Sequence, residues 1–573
     1  MSFQRFFVSL LNFLQSALVF FIVLLPAPWI GGLDTTAFFT IRVLILAAFF
    51  LFLLRNPSFH SFPSLFFLAF VGLAFLQAVG GPALVFTKFL PGSVQPFETQ
   101  EHALQLLFYF LFFLVCLNFF SSRKNLRLIV FLLAVEIVFL IALGYYQERS
   151  GVDRFRRIYG FYDVENYMSF FSSFLNSNHY GGFLAAASPL FLGSLFYRAK
   201  EEGSGLFRKA VFIEWIFFLV LLPAMGASLL FAGARAAFAV FILLCLLFAG
   251  RALSWEQLYK RWWIMGGLGA CFVFFLMFAG LAAGDVLKEF TVKLLSAFGY
   301  RLSILRESLG VFLDFPLFGT GLGTYRWISK AYQMTDAENF RLTHVHNDAL
   351  ELLTDTGVVG FILFLLPVTW VVFAALRGAL RSSSLWNRVF GLSSFAGIAA
   401  LAFLSLTEFY VRTPAIGILL VVHLAVLVNC GGEKERERLG GEGSRVKAEG
   451  SKFFPGWFVA CLALMVFMGH AAYRHYLSQR ILDRAERHKE VQHAGRDFEA
   501  LRRAVSLTPG NPKGWAVLGD AYYDSAFKGE ASGSFIEKSI EAYQAALARA
   551  PTWAEGWFYL GKSKMLAGRP KEG

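Results

Sequence analysis

The chain has 573 residues, of which 57% are hydrophobic, 16% are charged and 69 are phenylalanine. Apolar stretches long enough to cross a bilayer recur through the first 470 residues, a pattern that excludes an ordinary soluble protein. The formal net charge is +13, but the basic residues lie in short loops between the apolar stretches. They therefore indicate membrane topology, and we expect no nucleic-acid partner.

In chain order, the apolar stretches predict about 12–13 transmembrane helices of roughly 18–24 residues each. Their centres lie near residues 17, 45, 71, 111, 136, 188, 220, 241, 272, 364, 397, 420 and 463. The first stretch begins near Phe6 and shows no small-residue cleavage site, so we interpret it as a retained helix. The predicted fold class is all-α, a polytopic helix bundle embedded in the lipid bilayer.

The loops on one face of this bundle carry most of the basic residues. They begin at Arg123, Arg198, Arg251 and Arg377, and the positive-inside rule assigns them to the cytoplasm. The other face, which we expect to be periplasmic, holds residues 81–101, 146–177, 231–236, 284–350, 409–413 and everything after His470.

One predicted periplasmic loop, Gln147–Gly160, breaks the charge rule because it contains Arg149, Arg154, Arg156 and Arg157. Either one transmembrane helix is miscounted, or these arginines are kept outside to bind an anion. Both interpretations stay open from the sequence alone.

The C-terminal region contains an internal repeat. The segment "GWAVLGDAYY" at Gly514–Tyr523 recurs as "GWFYLGKSKM" at Gly556–Met565, and the first copy fits W-x2-L-G-x2-Y, the opening of a tetratricopeptide repeat. Such helical arrays usually bind protein partners. The predicted domains are a membrane domain at 1–430, a charged cytoplasmic linker at 431–453, a last transmembrane helix at 454–472 and a periplasmic tetratricopeptide-like domain at 473–573.

Two polar motifs open apolar stretches on the predicted periplasmic face. In "FLNSNHYGGFLA" from Phe174, Asn178 and His179 either cap a helix or bind a substrate. In "FAGARAAFAV" from Phe231, Arg235 lies in a break of a few residues between two apolar stretches. An arginine at this depth forms a structural ion pair or has a function.

Two further motifs lie between residues 299 and 360. Arg301 and Arg306 precede the glycine-rich "GTGLG", whose spacing differs from G-x-G-x-x-G and predicts a tight turn. In "HVHNDALELLTDTGVVG", His346 and Asn347 precede a predicted helix. A histidine at this place is an interfacial residue or a general base, since neutral imidazole is the usual base near pH 7.

Taken together, these motifs resemble those of bacterial O-antigen ligases over roughly residues 100–430. His346 and Asn347, followed after nine residues by Gly357 and Gly360, resemble the H-N-x9-G-x-x-G signature of that family, and the other motifs follow in the expected order. Ala234-Arg235-Ala236 stands where the family usually has Ser-Arg-Gly. The superfamily also includes O-antigen polymerases and protein O-oligosaccharyltransferases.

The resemblance implies a membrane glycosyltransferase fold without a nucleotide-binding domain. It implies glycan transfer from an undecaprenyl-diphosphate-linked donor at the periplasmic face of the bacterial inner membrane, with lipid A–core as the acceptor. The alternatives are a polysaccharide polymerase, a protein O-oligosaccharyltransferase and, outside enzymes, a transporter of lipid-linked glycans.

The resemblance also suggests roles for individual residues. His346 is the expected catalytic base, and Arg235 and Arg301 are the expected ligands of the donor diphosphate. Neither a metal ion nor a cofactor is expected. The candidate substrate-binding residues are Asn178, His179, Arg154, Arg156, Arg157, Arg306 and Asn347.

Overall fold

The structure is a computed structural model, and only part of the chain is described. The described residues are 3–54, 62–149, 157–159, 162–163, 170–201, 209–252, 301–333, 343–432, 456–490, 497–529 and 532–569. Outside them lie the transmembrane helix predicted near residue 272, most of the charged linker, Arg154 and Arg156.

Helices make up nearly all of the described chain. In order, they are α1 Phe3–Leu24, α2 Thr35–Leu53, α3 Phe62–Val85, α4 Pro96–Phe119, α5 Arg123–Arg149, α6 Ser177–Glu201, α7 Lys209–Phe231, α8 Arg235–Ala252, α9 at 301–314, α10 Asp348–Arg381, α11 Leu385–Leu404, α12 Pro414–Cys430, α13 Gly456–Glu490, α14 Phe498–Leu507, α15 Pro512–Phe527, α16 Ser532–Arg549 and α17 Ala554–Leu566. Single turns occur at Ile30–Gly32, Tyr325–Ile328 and Ser329–Ala331. The strands β1 Arg157–Ile158 and β2 Tyr162–Asp163 form one short antiparallel pair.

The membrane-spanning helices follow the apolar pattern of the sequence. Within the described residues, eight helices are long and apolar enough to cross a membrane: α2, α3, α4, α5, α6, α10, α11 and α13. Four shorter apolar helices, α1, α7, α8 and α12, coincide with four other predicted helices. The predicted fold class, an all-α polytopic membrane protein, is confirmed.

Local sequence explains where several helices begin. The carboxylate of Asp34 caps α2 by accepting hydrogen bonds from the backbone N–H of Thr36 at 2.9 Å and of Ala37 at 3.0 Å. Pro414 starts α12 at a position whose N–H has no intrahelical partner. The start of α12 bounds the segment that carries Glu408.

The chain folds into two compact units. The first unit comprises 1–64, 109–301 and 367–450, and the second comprises 65–108, 302–366 and 451–573. The C-terminal region therefore belongs to the same unit as the segment around His346. The domain boundaries predicted from the sequence stay a prediction.

In the first unit, α6 packs against α8, α11 and α12. Small residues make this close packing feasible. A Cβ atom at Gly182 would overlap the ring of Tyr410, and one at Gly193 would overlap the side chain of Ser393. Larger residues at these two positions would push the neighbouring segments away from α6.

In the second unit, the C-terminal helices α14–α17 pack on one another in chain order and continue from α13. The two copies of the sequence repeat make the same hydrogen bond. Nε1 of Trp515 donates to the carbonyl oxygen of Pro509 at 3.0 Å, and Nε1 of Trp557 donates to that of Pro551 at 2.9 Å. The sequence repeat is thus a structural repeat of helices, and its assignment to the tetratricopeptide class stays a prediction.

The C-terminal helices also contact two earlier segments of the second unit, at 95–101 and 327–330. The contacts combine a hydrogen bond, ring stacking, an edge-to-face aromatic pair and an ion pair. The contacting residues are Gln95 with Gly510, Phe97 with His475, Trp327 with Trp553, and Lys330 with Glu555. These contacts fix the tail to the unit that carries the predicted general base.

Candidate active site

The start of α6 brings together polar residues of the first unit. The side chain of Asn176 caps the helix, because its Oδ1 accepts a hydrogen bond from the backbone N–H of Asn178 at 2.8 Å. The side-chain amide of Asn178 takes no part in this cap and can bind a residue far away in the chain. Its Nδ2 donates to Oε2 of Glu408 at 3.0 Å.

Glu408 is the centre of this polar cluster. It is only 2% exposed, and Nη2 of Arg301 lies 3.7 Å from the same Oε2 that accepts from Asn178. A buried carboxylate is costly unless it is paired, so these two partners account for its presence. Arg301 keeps 36% of its side chain exposed.

His179 lies beside this cluster and holds the same loop. Its Nδ1 is 2.9 Å from Oγ1 of Thr413, and its ring packs edge-on against Phe409 at 4.8 Å between centroids. His179 is buried, with 4% of its surface exposed. The side chain therefore fixes the segment after Glu408 onto the first turn of α6.

Arg235 is the first residue of α8 and is half-buried. It follows Gly233, whose φ of +68° closes the tight turn from α7. A Cβ atom at Gly181 would lie 2.5 Å from the Cβ of Ala234 and 2.8 Å from that of Ala237, so α8 meets α6 at glycine. The small side chains of Ala234 and Ala237 fit this close contact between the two helices.

The first unit thus holds Asn178, His179, Arg235 and Arg301, all predicted from the sequence. Arg301 and Asn178 meet at Glu408, which sequence reasoning missed. The sequence does mark Glu408, because it is the single acidic residue in the break between the apolar stretches of α11 and α12. Charged residues at such breaks in membrane proteins often have partners or functions.

His346 and Asn347 belong to the second unit. His346 has a φ of +54°, a left-handed conformation that is uncommon outside glycine and occurs often at functional sites. Asn347 caps α10, since its Oδ1 accepts from the N–H of Leu350 at 3.0 Å. His346 is half-buried and lies in the turn directly before this cap.

Glu351 anchors the other side of this turn. The side chain is 2% exposed; its Oε1 lies 3.0 Å from Nδ1 of His344, and its Oε2 accepts from the N–H of Val345 at 2.9 Å. His344 therefore precedes the helix and is paired with Glu351. His346 lies between residues held by Glu351 and the cap formed by Asn347.

The "GTGLG" segment forms the tight turn that its spacing predicts. Gly319, Gly321 and Gly323 have φ values of +70°, +110° and +81°. The N–H groups of this turn are already used: Gly323 donates to the carboxylate of Asp355 at 2.7 Å, and Gly321 donates to its carbonyl oxygen at 2.8 Å. A phosphate-binding loop would need these groups unoccupied.

The same carboxylate also accepts from the N–H of Tyr325 at 3.1 Å. Burial raises the pKa of the Tyr325 phenol; the hydrogen bond with Ser308 opposes this, and the charges of Glu351 and Asp355 raise the pKa further. Tyr325 consequently stays protonated and serves as a neutral hydrogen-bonding group between α9 and the glycine turn.

Gly357 interrupts α10 with φ +63° and ψ −173°, a combination that is essentially restricted to glycine. The break lets the N–H of Val358 donate to the carbonyl oxygen of Pro316 at 2.8 Å. A Cβ atom at Gly357 would overlap the carbonyl group of Leu317. The first glycine of the signature therefore serves a backbone-to-backbone contact.

The remaining candidate residues are Arg306, Arg157, Arg154 and Arg156. Arg306 is exposed on α9, in the second unit. Arg157 lies in β1, but its side chain is not described, and Arg154 and Arg156 lie outside the described residues.

The apolar helices define a multi-pass membrane protein of helical fold. Residues 217–365, about a quarter of the chain, match a family model described as O-antigen ligase. The match includes Arg235, Arg301 and His346 and ends before Glu408. No curated protein matches the chain. This part of the chain is therefore similar to O-antigen ligases in a general sense.

Proposed function

We propose that the protein transfers a glycan from an undecaprenyl-diphosphate-linked donor to a hydroxyl group of lipid A–core. The reaction takes place at the periplasmic face of the bacterial inner membrane. The match to the O-antigen ligase model over residues 217–365 and the order of the polar motifs support this proposal. We also propose that this transfer reaction needs no metal ion.

The observation that carries the proposal is the Arg301–Glu408–Asn178 cluster. Arg301 is held by one long ion pair of 3.7 Å and remains 36% exposed, so its guanidinium can take up a second anion. Arginine binds phosphate in a two-pronged geometry that lysine lacks. Arg235 starts a helix, where free N–H groups also favour negative charge.

The proposed reaction is a single displacement. The acceptor hydroxyl oxygen attacks the anomeric carbon, and the bond between that carbon and the diphosphate oxygen breaks. His346 takes the hydroxyl proton, and the electron pair leaves with undecaprenyl diphosphate. Arg235 and Arg301 stabilise the negative charge that develops on this leaving group.

Purified protein with lipid-linked donor and lipid A–core tests the arginine role. Arg301→Ala should lower transfer about 10²–10³-fold, the range seen when a single stabilising donor is removed, and Arg301→Lys should lower it less. Arg381→Ala, which removes an exposed arginine at the end of α10, is the control and should leave transfer unchanged. Full activity of Arg301→Ala would refute the diphosphate role.

Deletion in the host distinguishes the acceptors. Lost polysaccharide ladders on lipid A–core, with intact lipid-linked polymer, support a ligase. Products of a single repeat unit indicate a polymerase, and unchanged lipopolysaccharide indicates an acceptor other than lipid A–core, such as a protein. A protein that moves lipid-linked glycan across vesicles without transferring it would be a transporter.

The orientation is also part of the proposal. Cysteines introduced near positions 160, 335 and 534 should react with an impermeant reagent added from the periplasm, while one near position 383 should not. Protection of position 335 would place the segment before His346 on the wrong face and contradict the proposed site.

We further propose that the C-terminal repeats dock a protein partner. Their sequence pattern and the exposed aromatic side chains Trp557 and Phe558 on α17 support this role. A chain truncated after Tyr473 should still transfer glycan between purified substrates, although its second unit should be less stable. A folded but inactive truncated chain would make the tail part of the catalytic site.

A further inference from the structure

Two arginines at the start of α5 stack on one buried tryptophan of α11. The guanidinium carbons of Arg123 and Arg127 lie 5.6 Å and 5.1 Å from the ring centroid of Trp386. Trp386 is only 5% exposed and is braced edge-on by Tyr197, the last aromatic residue of α6, at 5.1 Å. The ends of three membrane-length helices therefore meet here.

This arrangement is more specific than a topological signal requires. Orientation needs only basic residues in a loop, as with Arg377 and Arg381 near the end of α10, which have no aromatic stacking partner within the described residues. The contacts with the Trp386 ring restrict the positions of both guanidinium groups. This restriction reduces the conformational entropy that each arginine would lose on binding an anion.

Among the described residues, the two arginines that contact Trp386 have no acidic partner. Within the described part of the chain, neither Arg123 nor Arg127 forms an ion pair with a carboxylate, and both are exposed. Arg123 uses one N–H group, which donates to Oγ of Ser384 at 3.2 Å. Arg388 adds a third charge, with Nη1 held by the carbonyl oxygens of Ser382 and Ser383 at 2.6 Å and 3.0 Å.

The position in the membrane determines which anion can reach the cluster. Tryptophan and tyrosine at the ends of transmembrane helices lie at the level of the lipid headgroups. The N-termini of α5 and α11 contribute further positive potential there. A phospholipid phosphate is the anion present at this depth, and basic pockets between transmembrane helices are known to bind such headgroups.

We propose that Arg123, Arg127 and Trp386 form a binding site for the phosphate of an anionic phospholipid. The two guanidinium groups donate hydrogen bonds to the phosphate oxygens, and the acyl chains follow the apolar surfaces of α5 and α11. The site is independent of the proposed glycan transfer.

Thermal unfolding of the purified protein in detergent tests this site, with phosphatidylglycerol, phosphatidylcholine or inorganic phosphate added. Phosphatidylglycerol should raise the midpoint temperature of wild type, and the other two should not. The double variant Arg123→Gln/Arg127→Gln should lose this gain and bind phosphatidylglycerol at least tenfold more weakly. Arg377→Gln/Arg381→Gln removes the same charge from the same predicted face and should keep the gain.

Several outcomes would overturn the proposal. If both double variants lose the rise in midpoint temperature equally, only net charge matters. If inorganic phosphate raises the midpoint temperature as much as phosphatidylglycerol does, the site binds a free anion. If Arg123→Gln/Arg127→Gln does not fold, Arg123→Lys/Arg127→Lys keeps the charge but loses the planar stacking. In this lysine variant, phosphatidylglycerol should raise the midpoint temperature less than in wild type. An undiminished rise would refute the role of Trp386.

Discussion

The break in α10 at Gly357 allows a quantitative test, because the second unit contains two matched controls. Gly81 in α3 has nearly the same backbone angles, φ +64° and ψ −173°, but a Cβ atom there would meet nothing within 4 Å. Gly72 in α3 is an ordinary helical glycine that also has open space around its Cβ position. Alanine at these three positions therefore separates backbone strain from steric overlap.

The expected free energies follow from the local geometry. Gly72→Ala should be neutral or stabilise the protein by up to about 1 kcal/mol, because alanine favours the helix. Gly81→Ala should destabilise it by about 1–3 kcal/mol through backbone strain alone. Gly357→Ala adds overlap with Leu317 and disturbs the hydrogen bonds of Val358 and Val359, so we expect roughly 2–6 kcal/mol.

Unfolding of the purified variants in mixed micelles, by titration with SDS and tryptophan fluorescence, measures these differences. The predicted order of stability is Gly72→Ala first, Gly81→Ala second and Gly357→Ala last. If Gly357→Ala loses no more than Gly81→Ala, the close approach to Leu317 does not exist. If all three behave alike, the two left-handed breaks are absent and the reasoning fails.

Three further predictions concern the second unit. His346→Ala should bind donor normally in a direct binding assay yet lose transfer by about 10²–10⁴-fold, and an active variant would exclude the general-base role. Glu351→Gln keeps an acceptor for backbone N–H but loses its charge, so kcat should fall while KM holds; an unchanged kcat would contradict the positioning role. Glu555→Lys should lower the unfolding free energy by about 1 kcal/mol or less, and Lys330→Glu in that background should restore it; no recovery would mean that the ion pair does not form.

The local features of the site were largely predictable. Asparagine is among the preferred capping residues at a helix start, and Asn347 takes that place at α10. The glycine turn was predictable for a similar reason, because left-handed backbone favours glycine at Gly319, Gly321 and Gly323. Such features depend on neighbours in the chain, which the sequence shows directly.

The partners of the site residues were not predictable in the same way. Asn178 and Glu408 are 230 residues apart, and no spacing rule connects an amide with a carboxylate at that distance. Glu351 lies only seven residues from His344, yet their pairing depends on α10 starting at Asp348 and not earlier. The backbone segment that Gly357 contacts was not predictable either, because the contact at Leu317 depends on the tertiary structure.

By itself, the sequence determined which segments are removed from water into the membrane and which polar residues flank these segments. Apolar runs of membrane length must be buried or face lipid, and their composition shows this without knowledge of any partner. Only the tertiary structure decided that Glu408 contacts both Arg301 and Asn178. It also decided that two arginines lie against Trp386 and that the C-terminal helices belong to the same unit as His346. A polar side chain in a membrane protein is stabilised by whichever group packing brings near it, and for Asn178 that group lies 230 residues away in the chain.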